Sequence, residues 1–282
     1  MKGNDGVTTG AGLSLKIWGV RGSTPTPGPT TLRYGGETTS FEIRCGDDLV
    51  LVDCGSGARN LGGFLHGGPP RAFDLFFTHT HLDHICGLPF FKPAYDERFS
   101  INAWAGHFAD KQELMDIICR IMSPPIFPVA AKQLKAVTFR NFVGGELIER
   151  EGGMNISTVV LNHPGGATGY RFDHAGKSIC IITDHEHGVP GIDSALRRFV
   201  EGADVMIYDA MFTDDEYPTY VGWGHSTWQK GVELALEAGV RHPVMFHHDP
   251  RRSDDALDAI AEAAAARHPG ALVAREGMVL TP

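Results

Sequence analysis

The 282-residue chain has no apolar run of the roughly 20 residues that a membrane-spanning helix needs. Its N-terminus, MKGNDGVTTGAG, has no signal-peptide core. The expectation is a cytoplasmic protein with no membrane contact, in which residues 1–12 form a flexible leader. Paired cysteines are missing too. Cys45, Cys54, Cys86, Cys119 and Cys180 are scattered, odd in number and without a CxxC pair, which fits reduced thiols and excludes a disulfide framework. There is no excess of basic residues: 25 Lys and Arg against 34 Asp and Glu give a net charge of −9. A surface that tracks a nucleic-acid backbone needs clustered cations, so a broad footprint of that kind is disfavoured, while a local basic patch stays open. No internal repeat, low-complexity tract or linker interrupts the chain, and residues 13–282 are expected to form a single domain.

What the chain does contain is short β-branched runs bounded by Gly, Pro, Asp or Asn. LSLKIWG (13–19), SFEIRC (40–45), DLVLVD (48–53), FDLFFT (73–78), NISTVVLN (155–162), KSICIITD (177–184), DVMIYD (204–209) and PVMFHH (243–248) read as strands. Helical patterns lie between them. STWQKGVELALEAG places Ser226 as N-cap, with Gln229 three residues on and Gly239 as stop. SDDALDAIAEAAAARHPG has acids in its first turn and Arg267 and His268 in its last, matching the helix dipole. The alternation implies an α/β sandwich, sheets inside and helices outside. The segment 88–142 stands apart, with a helix expected near 110–121 and a proline-rich turn, MSPPIFPV. It reads equally as a lid over a site or as a packing insertion.

The stretch FFTHTHLDHICG, Phe76 to Gly87, places four ligand-type side chains within six residues directly after a strand. Alternate residues of an extended segment face the same way, so His79 and His81 can reach one point. A turn into a helix re-aims Asp83 and His84 toward a second. Further candidates stand where apolar strands give way to loops: His163, Asp184 and His247. Each taken alone is more often a turn residue or cap. As a set of imidazoles and carboxylates they suit first-row divalent metals, and one carboxylate can bridge two ions.

With these residues in place the chain resembles the metallo-β-lactamase-fold hydrolase superfamily, whose signature is HxHxDH followed by a His, a bridging Asp and a final His. The likeness runs from about Leu15 to the C-terminus and takes in LVDCGSG, GHST and FHHDP. It is greatest with the ribonuclease Z-like and cyclic phosphodiesterase branch, which the opening WGVRGSTPTPGPTTLRYGGETTSFEIR also resembles. The resemblance implies a four-layer αββα sandwich of two mixed sheets flanked by helices. It implies two divalent ions, Zn²⁺ first, with Mn²⁺, Fe or Ni²⁺ able to occupy the same cage. His79, His81 and His163 would hold one ion and Asp83, His84 and His247 the other, with Asp184 bridging. His225 of GHST would be the catalytic histidine. Asp209 would orient it, and Asp83 counts among the catalytic groups as well as the ligands. Asp53 would support the ligands from behind, or cap a strand end.

By the same resemblance the chain would be a dinuclear-metal-dependent phosphodiesterase acting on small, cyclic phosphodiesters through a hydroxide held between the metals. Members that trim transfer-RNA precursors commonly dock them on a long arm between the third His and the bridging Asp. Here only Pro164 to Thr183 separate His163 from Asp184, so structured RNA is disfavoured and tRNA 3′-processing ranks lower. Hydrolysis of a carbon ester, thioester or lactone on the same fold is the main alternative; a metal-holding scaffold without catalysis is a further one. Di-iron redox relatives carry an acid where this chain has His81. Relatives are often homodimers, with 88–142 the segment to inspect for a contact. Ser23, Thr24 and Thr168 are candidate phosphate donors. His66, His107, His174 and His187 read as surface or loop residues, His185 as a loop residue that can line the pocket, and His248 and Cys86 as outside the ligand set.

Overall fold

The computed structural model describes residues 12–108, 113–148 and 154–282. The expected leader lies, but for Gly12, outside the described residues, as do 110–112 of the expected helix. The first half of the chain contributes β1 (Leu13–Gly19), β2 (Ser40–Cys45), β3 (Asp48–Val52), helix α1 (Ala58–His66), β4 (Ala72–Phe77), the one-turn helix α2 (Leu82–Ile85), β5 (Ser100–Ala105), α3 (Leu114–Ile121) and β6 (Val137–Asn141). β1 to β3 form an antiparallel meander, and β3 to β6 run parallel. The second half contributes β7 (Leu147–Ile148), β8 (Asn155–Leu161), β9 (Ala167–His174), β10 (Lys177–Ile182), α4 (Pro190–Phe199), β11 (Val205–Asp209), α5 (Trp228–Ala238), β12 (His242–Phe246), α6 (Asp254–Arg267) and β13 (Leu272–Val273). Here β7 to β10 are antiparallel and β10 to β13 parallel. The last strand, β14 (Val279–Leu280), returns to pair with β1, giving two seven-stranded mixed sheets.

Both faces of the central strands are buried, and the period-2 alternation of side chains assigns each residue to a layer. In β4, Phe76 points into the core shared by the sheets, while Phe73, Leu75 and Phe77 face the layer of α1 and α3. In β10 and β11, Ile179, Ile181, Val205 and Ile207 enter the shared core, and Cys180, Ile182, Met206 and Tyr208 face the outer helices. The result is the expected αββα order. Phe76 packs fully buried against Tyr170 at 5.5 Å between ring centroids. Truncating it to Ala would cost about 3–5 kcal/mol.

One expectation changes. Thr227, not Ser226, caps α5, its hydroxyl accepting the Lys230 amide at 3.1 Å. Ser226 instead meets His187 and Tyr208. The segment 88–142 is largely framework: β5 and β6 extend the first sheet, and Leu114 and Ile118 of α3 pack into its helical layer. α6 begins as expected, with Ser253 Oγ accepting from Ala256 N and acids in the first turn. Among the described residues no helix is long and apolar enough to cross a membrane.

Candidate metal centre

Strand ends of both sheets meet at one edge of the sandwich. β3 leads into Asp53, β4 into His79, His81, Asp83 and His84, and β8 into His163. β10 leads into Asp184, β11 ends at Asp209 and β12 leads into His247. The backbone turns sharply at these junctions. Of the five non-glycine residues with positive φ among the described residues, Asp53 (60°), Asp184 (60°), His247 (59°) and Ser23 (61°) all touch the centre, and Ala175 merely turns the β9–β10 hairpin. Left-handed backbone is costly for such residues and persists where the surroundings hold it in place.

The seven expected ligands converge. His163 Nε2 lies 3.0 Å from His81 Nδ1, and the ligand atoms of His79, His81 and His163 form one group within 4.8 Å. Asp83, His84 and His247 form a second. Asp184 faces both. Its Oδ2 lies 3.6 Å from His79 Nε2 and 3.7 Å from His163 Nε2, and its Oδ1 lies 3.2 Å from both His84 Nε2 and His247 Nε2. Nitrogens bound at about 2.0–2.1 Å to one tetrahedral ion stand about 3.3 Å apart, so the spacing fits a cation in each group. A second observation supports the fit: the Nε2 atoms of His79 and His84 are buried and make no hydrogen bond. Imidazole nitrogens buried this way are costly unless something binds them.

Outer contacts orient the rings. His84 Nδ1–H donates to Asp53 at 2.8 Å, leaving Nε2 for a metal. Asp53 also accepts the Thr78 amide and hydroxyl, each at 2.8 Å, and the Thr78 oxygen lies 3.1 Å from His79 Nδ1. His163 Nδ1–H donates to the Gly224 carbonyl at 2.8 Å. The Ser23 amide donates to Asp83 Oδ2 at 2.7 Å. Carboxylate and carbonyl partners of this kind fix tautomer and raise ligand basicity.

Charge at His79, His163, Asp83 and Asp184 follows the same pattern. At His84, by contrast, burial is outweighed by the carboxylates of Asp184, Asp83 and Asp53, which hold the ring well above the usual imidazole range. Burial holds His79 well below the usual imidazole range and lowers His163 to about 4, which keeps both neutral, as ligation requires. Burial disfavours the charged forms of Asp83 and Asp184, but the surrounding imidazoles outweigh it and hold both carboxylates low. Beside the cage, His225 Nδ1–H donates to the fully buried Asp209 at 2.8 Å. Burial works against charge on His225, but Asp209 more than offsets it and raises the ring to about 9.

Two other residues, His107 and His185, differ from expectation. His107, read as a surface residue, lies at the rim: Thr80 Oγ1 is 3.1 Å from its Nε2 and its ring is 6.4 Å from His79. With Phe108, Pro164, Gly165 and Gly166 it bounds a notch of about 140 Å³ over His79 and His81. His185 turns away from the cage. It borders a separate cavity beneath α4 and α5, and its amide donates to Asp209 at 3.2 Å. His248 Nε2–H donates to the Ala274 carbonyl, His66 pairs with Asp96 and Cys86 lies 3.8 Å from the Thr38 hydroxyl, all away from the ligand set. The buried Thr168 hydroxyl has no hydrogen-bond partner. Glu186, which no motif singled out, accepts the amides of Gly222 and Gly224. Its position two residues beyond Asp184 was the available signal.

Comparison with known proteins gives a family model, the β-lactamase superfamily domain, matching residues 49–248. The ribonuclease Z of Haloarcula marismortui is 24% identical, over 89% of this chain and 92% of that protein. Among solved structures, the metallo-β-lactamase fold protein YhfI from Bacillus subtilis aligns with a TM-score of 0.74 at 18% identity, over 97% of this chain and 100% of that one. A diphosphatase from the PhnP family aligns with a TM-score of 0.69 at 21% identity, over 95% and 97%.

Proposed function

We propose that this chain, which belongs to the β-lactamase superfamily, hydrolyses small phosphodiesters, cyclic ones above all, at a centre of two divalent metal ions. One observation carries the reading: Asp184 turns one oxygen to each of two histidine groups, and the His225–Asp209 pair stands beside them. His79, His81 and His163 would hold one ion, Asp83, His84 and His247 the other, with Asp184 facing both. Two such ions supply an acidified water and a positive contact for a phosphoryl oxygen. The donor set suits zinc first. Asp83, pinned by the Ser23 amide, would accept a hydrogen bond from the attacking water. His225 carries a proton on Nε2 for the departing alkoxide, because Asp209 occupies its Nδ1–H. Asp53 keeps His84 in the tautomer that ligates.

The relatives named ribonuclease Z favour a second reading, trimming of an RNA 3′ end. Against it, residues 164–183 are taken up by β9, β10 and their short connections within the second sheet, leaving no arm between His163 and Asp184. The net charge of −9 points the same way. Metal analysis of the purified protein, joined to assays of bis-p-nitrophenyl phosphate, cyclic nucleotides, a precursor tRNA, a lactone and nitrocefin, tests both. Fast turnover of cyclic phosphates supports the first reading. Precursor tRNA cleaved at a matching rate, or a preference for the lactone, overturns it.

A further inference from the structure

Trp223 is a large apolar side chain left 63% exposed, two residues ahead of His225. Its backbone is firmly held. Gly222 and Gly224 flank it, with φ of 89° and 87°, and the amides of both donate at 2.7 Å to the carboxylate of buried Glu186. The Tyr217 hydroxyl donates to the same carboxylate at 3.0 Å. Gly224 ties the segment to the centre, since its carbonyl accepts His163 Nδ1–H and a Cβ there would lie 2.2 Å from that nitrogen. A buried carboxylate and two left-handed glycines thus hold an indole in solvent beside a ligand-bearing loop.

A solitary exposed apolar residue needs no explanation, but Trp223 is not solitary. Its ring meets Tyr220 edge-on at 5.3 Å, Tyr220 stacks flat on Phe212 at 4.4 Å and 3°, and Phe212 reaches His225 at 6.1 Å. The Arg251 guanidinium lies 5.5 Å from the Tyr220 ring and donates to its hydroxyl at 3.0 Å. A line of aromatic rings therefore runs from His225 to the surface, with a cation at its edge. Aromatic faces stack on nucleobases, and the Arg251 guanidinium, paired with Asp249, braces the Tyr220 ring. Alkyl esters have no flat face to use such a surface.

We propose that Trp223, backed by Tyr220 and Arg251, is a stacking subsite for the base of a nucleoside cyclic phosphate, and that it selects nucleotides over base-free phosphodiesters. This rests on the phosphodiesterase reading above. The test compares kcat/KM for adenosine 2′,3′-cyclic phosphate with that for glycerol 1,2-cyclic phosphate, which keeps the five-membered cyclic diester and lacks the base. The metal-loaded wild type should prefer the adenosine compound. In Trp223→Ala the ratio should fall about tenfold, mainly through KM, as expected for a lost base stack. Trp223→Phe should restore most of it. Equal activity of the wild type on both compounds, or a Trp223→Ala variant that slows both alike, overturns the subsite and leaves the phosphodiesterase reading standing. A metal-loaded wild type that cleaves neither compound overturns both.

Discussion

Replacing Asp53 with asparagine isolates how one buried carboxylate sets the second metal group. Asp53 touches no metal in the proposed arrangement, yet it accepts the His84 ring N–H and two donors from Thr78, all at 2.8 Å. Asparagine is nearly isosteric and tolerates the left-handed φ of 60° at this position. Its oxygen can keep the Thr78 amide. Its NH₂ then stands where Oδ2 took both the Thr78 hydroxyl and His84 Nδ1–H. A donor facing Nδ1 drives the His84 proton to Nε2, the atom 3.2 Å from Asp184 and the one needed for ligation. Loss of such an orienting partner typically weakens metal binding 10–100-fold, or about 1.4–2.8 kcal/mol. Chelator competition with metal counted per chain reads this directly. The group of Asp83, His84 and His247 should weaken by that factor, and the group of His79, His81 and His163 by less. An Asp53→Asn protein that binds two ions with wild-type affinity would refute the tautomer argument.

Three further outcomes follow from the same geometry. His225→Ala should keep its metal content and lose about 10²–10⁴ in kcat, because proton delivery is removed and no ligand is touched; atomic emission and steady-state kinetics on one preparation check both halves. Stripping the metals should abolish turnover and lower the melting temperature, since free ion at 100 times its dissociation constant stabilises the native state by about 2.7 kcal/mol, and re-addition of zinc should reverse both. Tyr170→Phe removes a buried 2.6 Å hydrogen bond to the Phe77 carbonyl. That should cost about 1–2 kcal/mol in denaturant unfolding, the price of an unsatisfied buried acceptor.

The seven candidate ligands were legible in the sequence because they stand in loops that directly follow short apolar runs, and a strand-to-loop junction shows in local pattern. The layers were legible for the same reason. β5 and β6 were not, since SINAWA and VTFRN mix polar and apolar residues and follow a stretch broken by 3₁₀ turns at Leu88–Phe90 and Lys92–Tyr95. Strands as short as β13 and β14 carry no usable period, and only tertiary pairing defines them. The α5 cap moved by one residue because Ser226 and Thr227 are both good caps, and the contacts of Ser226 with His187 and Tyr208 decide between them. His107 and Glu186 belong to no spacing rule. Their roles arise from loops that meet only once both sheets have packed.

That packing also governs the centre. Asp53 and the HTHLDH residues ride on the first sheet, and His163, Asp184, Asp209 and His247 on the second, so the distance between the two metal groups depends on how the sheets sit together. The shared core sets it close to the site: Phe41 of β2 meets Phe246 of β12, one residue before His247, at 4.7 Å. Tyr170 of β9 donates to the carbonyl of Phe77, two residues before His79. A shift of one sheet would move Asp184 Oδ1 and Oδ2 relative to His79 and His84 together, and a carboxylate that faces both groups tolerates little of that. Interiors packed this densely resist continuous deformation. The left-handed junctions at Asp53, Asp184 and His247 therefore belong to the same device as the apolar core beneath them: the core holds the two edges in register, and the strained turns aim the side chains across the gap.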